Sequence, residues 1–358
     1  MKCLVKQSSY CASLLFVLFT GFFIAPVKAE RVTDLYSASW PVENQSTDVR
    51  QKAMQNAFAE VLVRVSGSKD VVNNSQIREV LPNAQDYMRQ YSYKRLSAAE
   101  QMVYERPLLL VATFDSLAVK KILQDASLPV WSENRPSGTF WIAVEENGNR
   151  RVATDANDSV TIALNRAASR RGLPIMLPMM DLEDKSQVTV GDIWGRFVGP
   201  INRASERYNA DYVVVGQLSQ SAGQWFGRWS MDLGGTVENL SSSASSKQDV
   251  IADLVDQVAN KLAARLAVVL SGEVLAVEIY VNNIYELEAY AGARNYLANL
   301  GMTESVKVLQ VKDDAVLFEV RVLTSPQNLI DAINIGNNLR RIPNDEGVNG
   351  RYSFSWQG

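Results

Sequence analysis

The stretch Arg203–Gly234, RASERYNADYVVVGQLSQSAGQWFGRWSMDLG, decides how the rest of the chain is read. Asp211-Tyr-Val-Val-Val-Gly216 is short, apolar and β-branched, the composition of a strand covered on both faces. Ser221-Ala-Gly223 reads as a turn. Beyond it Gln224, Phe226, Arg228 and Ser230 alternate with Trp225, Gly227, Trp229 and Met231, the period of a strand with two unlike faces. The pattern is helix end, buried strand, tight turn, second strand. Mixed helical and strand periodicities continue on both sides, so the chain reads as α+β.

Upstream, Lys2 and Lys6 precede the apolar run Ala12–Pro26, and Val27-Lys28-Ala29 has the small-x-small form of a cleavage signal before Glu30. Residues 1–29 therefore read as a signal peptide, too short in its apolar part for a membrane span, with a periplasmic mature chain beginning near Glu30. An uncleaved anchor is the competing reading. Both cysteines, Cys3 and Cys11, lie in this leader. Of 36 basic residues three are leader lysines, which leaves 33 against 39 acids and a mature net charge of −6. A mildly acidic chain without a basic tract is a poor ligand for a phosphate backbone. No nucleic-acid partner and no later membrane span are expected.

About 330 residues are too many for one core, so several modules are expected. In 30–134 a strand ends near Pro41, a helix carries Met54, Ala57, Phe58, Val61, Leu62 and Val65 to a Gly67 cap, and a short helix, two strands and a helix capped by Asp115 follow. The region 135–271 reads as a central α/β module. Its strands are Thr139–Glu145 and Pro174–Met179, with polar loops at Asp181–Ser186 and Ser241–Ser246. Ser246-x-x-Asp249 caps a long amphipathic helix. The region 272–358 has the order βαββαβ, a ferredoxin-like split-βαβ pattern, its first helix read as capped by Asn283-x-x-Glu286. The first module has nearly the same order.

For chemistry, the chain contains no histidine and, beyond the leader, no cysteine. That removes the commonest general base, thiol nucleophiles and the usual zinc, copper and haem ligands. No cofactor, no metal and no catalytic residue is assigned. Ser66-Gly-Ser-Lys69 has an S-x-x-K form, but reads as a helix cap and turn, since neither S-D-N nor K-T-G occurs. Asp181, Glu183 and Asp184 offer three carboxylates in a loop, as a weak cation site or a solvated turn. Trp225 and Trp229 share one strand face, as an interaction surface for glycan or peptide or as core. Trp131 and Arg135 stand at the first boundary, as part of such a surface or as a pin between modules.

Ala59–Lys69 (AEVLVRVSGSK), Tyr91-Ser-Tyr93, Leu109–Asp115, Leu128–Pro136 (LPVWSENRP), Ala168–Pro174 and Ala204–Asp211 together resemble DUF2066, an uncharacterised family of exported proteobacterial proteins. The resemblance implies an envelope location and no catalytic residues. The pattern from Ala210 to Gly216 also looks like envelope assembly modules of the TolB amino-terminal and CsgG type. The function expected is a non-enzymatic interaction or assembly factor for a cell-envelope complex, with an envelope protein as partner. The alternatives are a carboxylate-dependent hydrolase acting on wall or glycan material, and a small-ligand binder.

Overall fold

The structure is a computed structural model. It describes residues 35–97, 101, 104–133, 135–156, 158–270, 273–336, 338–342 and 351–358. The expected leader lies outside the described residues.

The first unit opens with β1 (Ser37–Val42) and α1 (Thr47–Ser66). The helix stops where Gly67 turns left-handed, φ 75°, and returns its N–H to the Val63 carbonyl. Its periodic residues Met54, Ala57, Phe58, Val61, Leu62 and Val65 are all buried. Then come α2 (Ser75–Val80), β2 (Met88–Arg95), β3 (Leu108–Phe114) and α3 (Ser116–Asp125). Asp115 caps α3 by accepting the Leu117 and Ala118 N–H groups, both at 2.9 Å. The sheet is antiparallel in the order β1-β3-β2.

A two-residue strand, β4 (Pro129–Val130), leads into the central unit. There follow β5 (Gly138–Glu146), β6 (Asn149–Val152), α4 (Ser159–Arg171), β7 (Ile175–Met176), α5 (Leu182–Gln187), α6 (Val190–Gly195) and α7 (Val198–Ser205). Next are β8 (Tyr212–Ser221), β9 (Gln224–Leu233), β10 (Thr236–Ala244), α8 (Lys247–Leu266) and β11 (Val268–Val269). The sheet order is β10-β9-β8-β5-β6, with β5 and β8 parallel and β8, β9 and β10 antiparallel. Helices α4 and α8 cover one face, over Tyr212, Val214 and Trp229. Helices α6 and α7 cover part of the other, over Trp141, Val213 and Val215.

Two expectations are corrected here. The serine-rich stretch from Ser241 is not a loop but begins as the last four residues of β10, where Leu240 and Ser242 turn inward and Ser241 and Ser243 outward. The available signal was the Gly234-Gly235 turn, φ 60° and 83°, which closes a two-residue hairpin. Asp181–Ser186 is likewise not a loop: Asp181 caps α5 by accepting the Asp184 N–H.

The last unit contains β12 (Leu275–Asn282), α9 (Leu287–Ala298), β13 (Thr303–Lys312), β14 (Ala315–Val322), α10 (Pro326–Ile335), β15 (Leu339–Arg341) and β16 (Arg351–Trp356). Its sheet order is β13-β14-β12-β16-β15. With β15 set aside the spatial order is the ferredoxin-like one, except that the last strand, β16, runs parallel to the first, β12. Asn283 is not the cap of α9. It sits left-handed at φ 65°, its amide donates to Ser355 Oγ at 2.7 Å, and the helix starts after Glu286. The first sheet repeats three of these strands in the same spatial order, without the fourth. The cores of the first and last units run together through Val130 and Val268 on the β4–β11 ribbon and Leu270 just beyond it.

The chain is α+β. We propose the divisions 30–134, 135–271 and 272–358 as its modules. Among the described residues no helix is long and apolar enough to cross a membrane.

Candidate functional site

The residues singled out in the sequence separate into interior joints and one open groove. Arg135 belongs to a joint. The last turns of α1 and α4 end at the same place, and their carbonyl groups face it. Arg135 donates to the carbonyls of Ser132 at 3.0 Å, Arg171 at 2.7 Å, Gly172 at 3.2 Å and Arg64 at 2.6 Å. Its guanidinium carbon lies 4.0 Å from the centre of the Trp131 ring. Trp131 donates its backbone N–H to Val65 at 2.7 Å. Arg171 donates to Gly67 O at 2.8 Å and pairs with Asp256 at 2.7 Å; Arg64 donates to Ser37 O at 2.6 Å and pairs with Glu60 at 2.8 Å. The negative ends of two helix dipoles thus hold three buried guanidiniums together. Burial, and next the charge of Arg64, push the pKa of Arg135 down to about 9, which leaves it charged at neutral pH. Trp131 and Arg135, both at most 3% exposed, therefore offer no surface to a partner. That reading is corrected: they fasten the first unit to the central one.

Ser66 and Lys69 are also structural. Ser66 Oγ lies 3.3 Å from Val63 O and 3.2 Å from Ser68 O, inside the cap of α1. Lys69 points away from it to an ion pair with Asp256. Lys69→Ala is expected to cost no more than about 1 kcal/mol in urea denaturation, because the lysine side chain is 58% exposed.

Of the three carboxylates near Asp181, Asp181 and Asp184 are taken up by protein, while the exposed Glu183 lies 3.6 Å from Arg207. Arg207 grips Asp181 at 2.8 and 3.0 Å and reaches Asp184 at 3.1 Å, while Tyr208 donates its hydroxyl to Asp184 at 2.5 Å. Among the described residues no acidic cluster is placed to hold a metal ion. The bond from Arg207, then the backbone N–H of Asp184, hold the pKa of Asp181 at about 2, below its ordinary value of 3.8. A depressed carboxylate stabilises the fold fully above pH 4 and loses that contribution as pH falls towards 2. Arg207→Ala is expected to flatten this acid limb, measured as the urea midpoint at pH 6, 4 and 3.

Trp225 and Trp229 do share a strand face, and it is the one turned to α4 and α8. Trp229 is fully buried. Its ring lies over Gly216 and Gly227, where an added Cβ would approach to 2.5 and 2.2 Å. Trp225 is half-buried under the Lys247 ammonium, 5.5 Å from the ring centre. The surface reading is therefore corrected for Trp229, whose face is core.

The opposite face of the same hairpin is open. Beyond the cover of α6 and α7 lies a groove of about 860 Å³, lined by Trp194, Gln217, Ser219, Phe226, Arg228, Ser241 and Ser243, among others. Arg228 is at its centre, with Gln217 opposite on β8 and Ser241 opposite on β10. One step along, Phe226 stands between Ser219 and Ser243. Among the described residues Arg228 has no hydrogen-bonding or ion-pair partner. Other arginines of this unit do: Arg150 pairs with Glu145 at 2.8 Å, Arg151 with Glu146 at 3.0 Å, and Arg196 donates to Asn239 at 3.2 Å. The alternation of β9 was legible in the sequence; which of its faces a helix leaves uncovered was not.

A second cleft, about 640 Å³, lies between the central and last units. Asp211, Asp232 and Glu206 line it with Arg340 and Arg341. Burial raises the pKa of Asp211, whose Oδ2 accepts the Ser137 N–H at 2.7 Å. Asp232 accepts from Asn202 at 2.5 Å and from the Gly235 N–H at 2.9 Å. Both carboxylates are committed to holding backbone and turn.

Residues 29–132 match the family described as Domain of unknown function (DUF8605). This corrects the resemblance to DUF2066, several of whose stretches, from Ala59–Lys69 to Leu109–Asp115, lie inside the matched segment. No curated protein matches the chain. Among solved structures, the LpoB C-terminal domain from Salmonella enterica aligns at 14% identity and a TM-score of 0.23, over 33% of this chain and 86% of that one. A structure described as an uncharacterized protein aligns at 9% identity and a TM-score of 0.16, over 36% of this chain and 88% of that one. Overlaps this slight define neither fold nor activity.

Proposed function

We propose that the protein is an exported, periplasmic, non-enzymatic interaction factor of a cell-envelope complex, and that a protein partner docks in the groove of the central sheet. The leader-like residues 1–29 support export. The observation that carries the binding role is Arg228: an unpartnered guanidinium at the centre of a concave face, framed by hydroxyl and amide groups and flanked by Phe226 and Trp194. Exposed polar groups that converge without internal partners are a binding surface awaiting contact. A photocrosslinking residue in place of Phe226 should capture one defined envelope protein in cells, and the same residue in place of Leu117, on α3, should not. Equal labelling at both positions would remove the groove from the account.

The hydrolase reading has one observation in its favour, the raised carboxyl of Asp211 in a cleft shared with Asp232 and Glu206. Its test is Asp211→Asn assayed on wall glycan. A turnover present in the parent and lost in this variant, with folding and crosslinking intact, would replace the binding role with a catalytic one.

A further inference from the structure

The sheet edges differ in a way that points to how a partner is held. An edge strand displays unpaired N–H and C=O groups, and proteins guard such edges with prolines, bulges, cationic residues or brevity. In the first sheet β1 contains Pro41, and β2 carries Arg89, Lys94 and Arg95 with a register break after Met88. In the last sheet β13 has two breaks and contains Lys307 and Lys312, while β15 is three residues long with Arg340 and Arg341. In the central sheet β6 has four residues, two of them Arg150 and Arg151.

The edge strand β10 lacks these guards, although Gln257 of α8 donates to its Ser241 carbonyl at 2.9 Å. It runs for nine residues, TVENLSSSA, with unbroken register against β9 and without proline, lysine or arginine. Its single charge, Glu238, is held by Lys261 and Arg265 of α8. The groove wraps this edge, since Ser241 and Ser243 line it from one side and Ser242 and Asp253 from the other.

The geometry points to strand addition: β10 accepts an extended segment of a partner protein, and an acidic side chain of that segment reaches Arg228. An added strand would lie two strand spacings, roughly 10 Å, from β9. A guanidinium and a carboxylate side chain together span that gap, and small Ser241 lies between them without blocking it. Main-chain bonds would supply affinity and the carboxylate the choice of partner. Alternate side chains of the added strand face Asp253, which accepts from Gln257 at 2.8 Å, so a second acid there is disfavoured. A second copy of this chain does not satisfy the site. Pairing β10 with itself about a twofold axis keeps the groove faces on one side and offers Arg228 only Val237, Asn239, Ser241 and Ser243.

The inference rests on the proposed role as a partner-binding protein. Its test uses the full chain and a labelled peptide about nine residues long of alternating threonine and valine, with glutamate at the centre, against versions with glutamine or lysine there. Fluorescence anisotropy should show the glutamate peptide binding about tenfold more tightly than the lysine peptide, and Arg228→Glu should reverse that order. Hydrogen exchange should slow in residues 236–244 when the glutamate peptide is bound. Equal affinity for the two peptides, no binding at about 1 mM, or binding that leaves exchange in 236–244 unchanged would each overturn strand addition. If one of these is found while crosslinking at Phe226 still captures its partner, the groove remains the docking site and only the mode of recognition falls. If crosslinking fails as well, the role in partner binding falls with it.

Discussion

Val214→Asp is expected to unfold the central unit at neutral pH. Val214 is fully buried on β8, between β5 and β9, and packs in the cluster beneath α4 and α8. A carboxylate there would have no cation to meet, and its desolvation costs about 5 kcal/mol or more, comparable with the whole stability of a typical domain. The penalty should fall as the carboxyl is protonated. Burial raises the folded-state pKa above its unfolded value, so the loss of stability grows as pH rises above about 4. Val214→Ala removes two methyl groups without adding charge and should cost about 2 kcal/mol with no pH dependence of its own. Urea denaturation followed by tryptophan fluorescence at pH 4.5 and 7 checks both. A Val214→Asp chain as stable as the parent at pH 7 would mean that this face of β8 is wet.

Arg135→Met should cost about 4 kcal/mol and loosen the first unit from the central one. The thioether keeps most of the stem volume but leaves the carbonyls of Arg64, Arg171, Gly172 and Ser132 without their buried donors. Replacing a whole buried ion pair by apolar residues can be neutral, but here the acceptors are backbone and remain. Arg135→Lys restores charge without the planar fork that reaches several carbonyls at once, and should recover only part of the loss. The urea midpoint gives the magnitude. Limited proteolysis should show faster cleavage near residues 131–137 in Arg135→Met than in the parent. A Met variant with an unchanged midpoint would show that the joint is held by the apolar ribbon of β4 and β11 alone.

These two positions also mark how far the sequence could be read. Val213, Val214 and Val215 announce a strand buried on both faces because β-branched residues in an unbroken run leave no polar face to solvent, and Tyr212 and Val214 do meet one helix layer, Val213 and Val215 the other. The caps at Asp115 and Ser246 were legible for a similar reason: a cap is a local bond between a side chain and an N–H two or three residues away. β10 was missed because serines pack as a strand only when the neighbouring strand supplies the ladder, and α5 because a short helix of polar residues has no periodic signal. The polar candidates failed for a longer-range reason. Arg135 bonds residues 36, 37 and 71 positions away, and nothing near it in the chain tells a pin from an exposed hook.

By itself, then, the sequence determined the α+β class, the split-βαβ order of the last unit, the two-faced hairpin and the lack of thiol or imidazole in the chain beyond residue 29, because these follow from local periodicity, local bonds and composition. The tertiary structure alone decided which face of that hairpin is open, that among the described residues Arg228 is left without a partner while Arg135 is saturated, and that β10 ends the sheet with Gln257 of α8 reaching its Ser241 carbonyl. Each of these depends on which distant element comes to lie over a residue, and for that its chain neighbours carry no information.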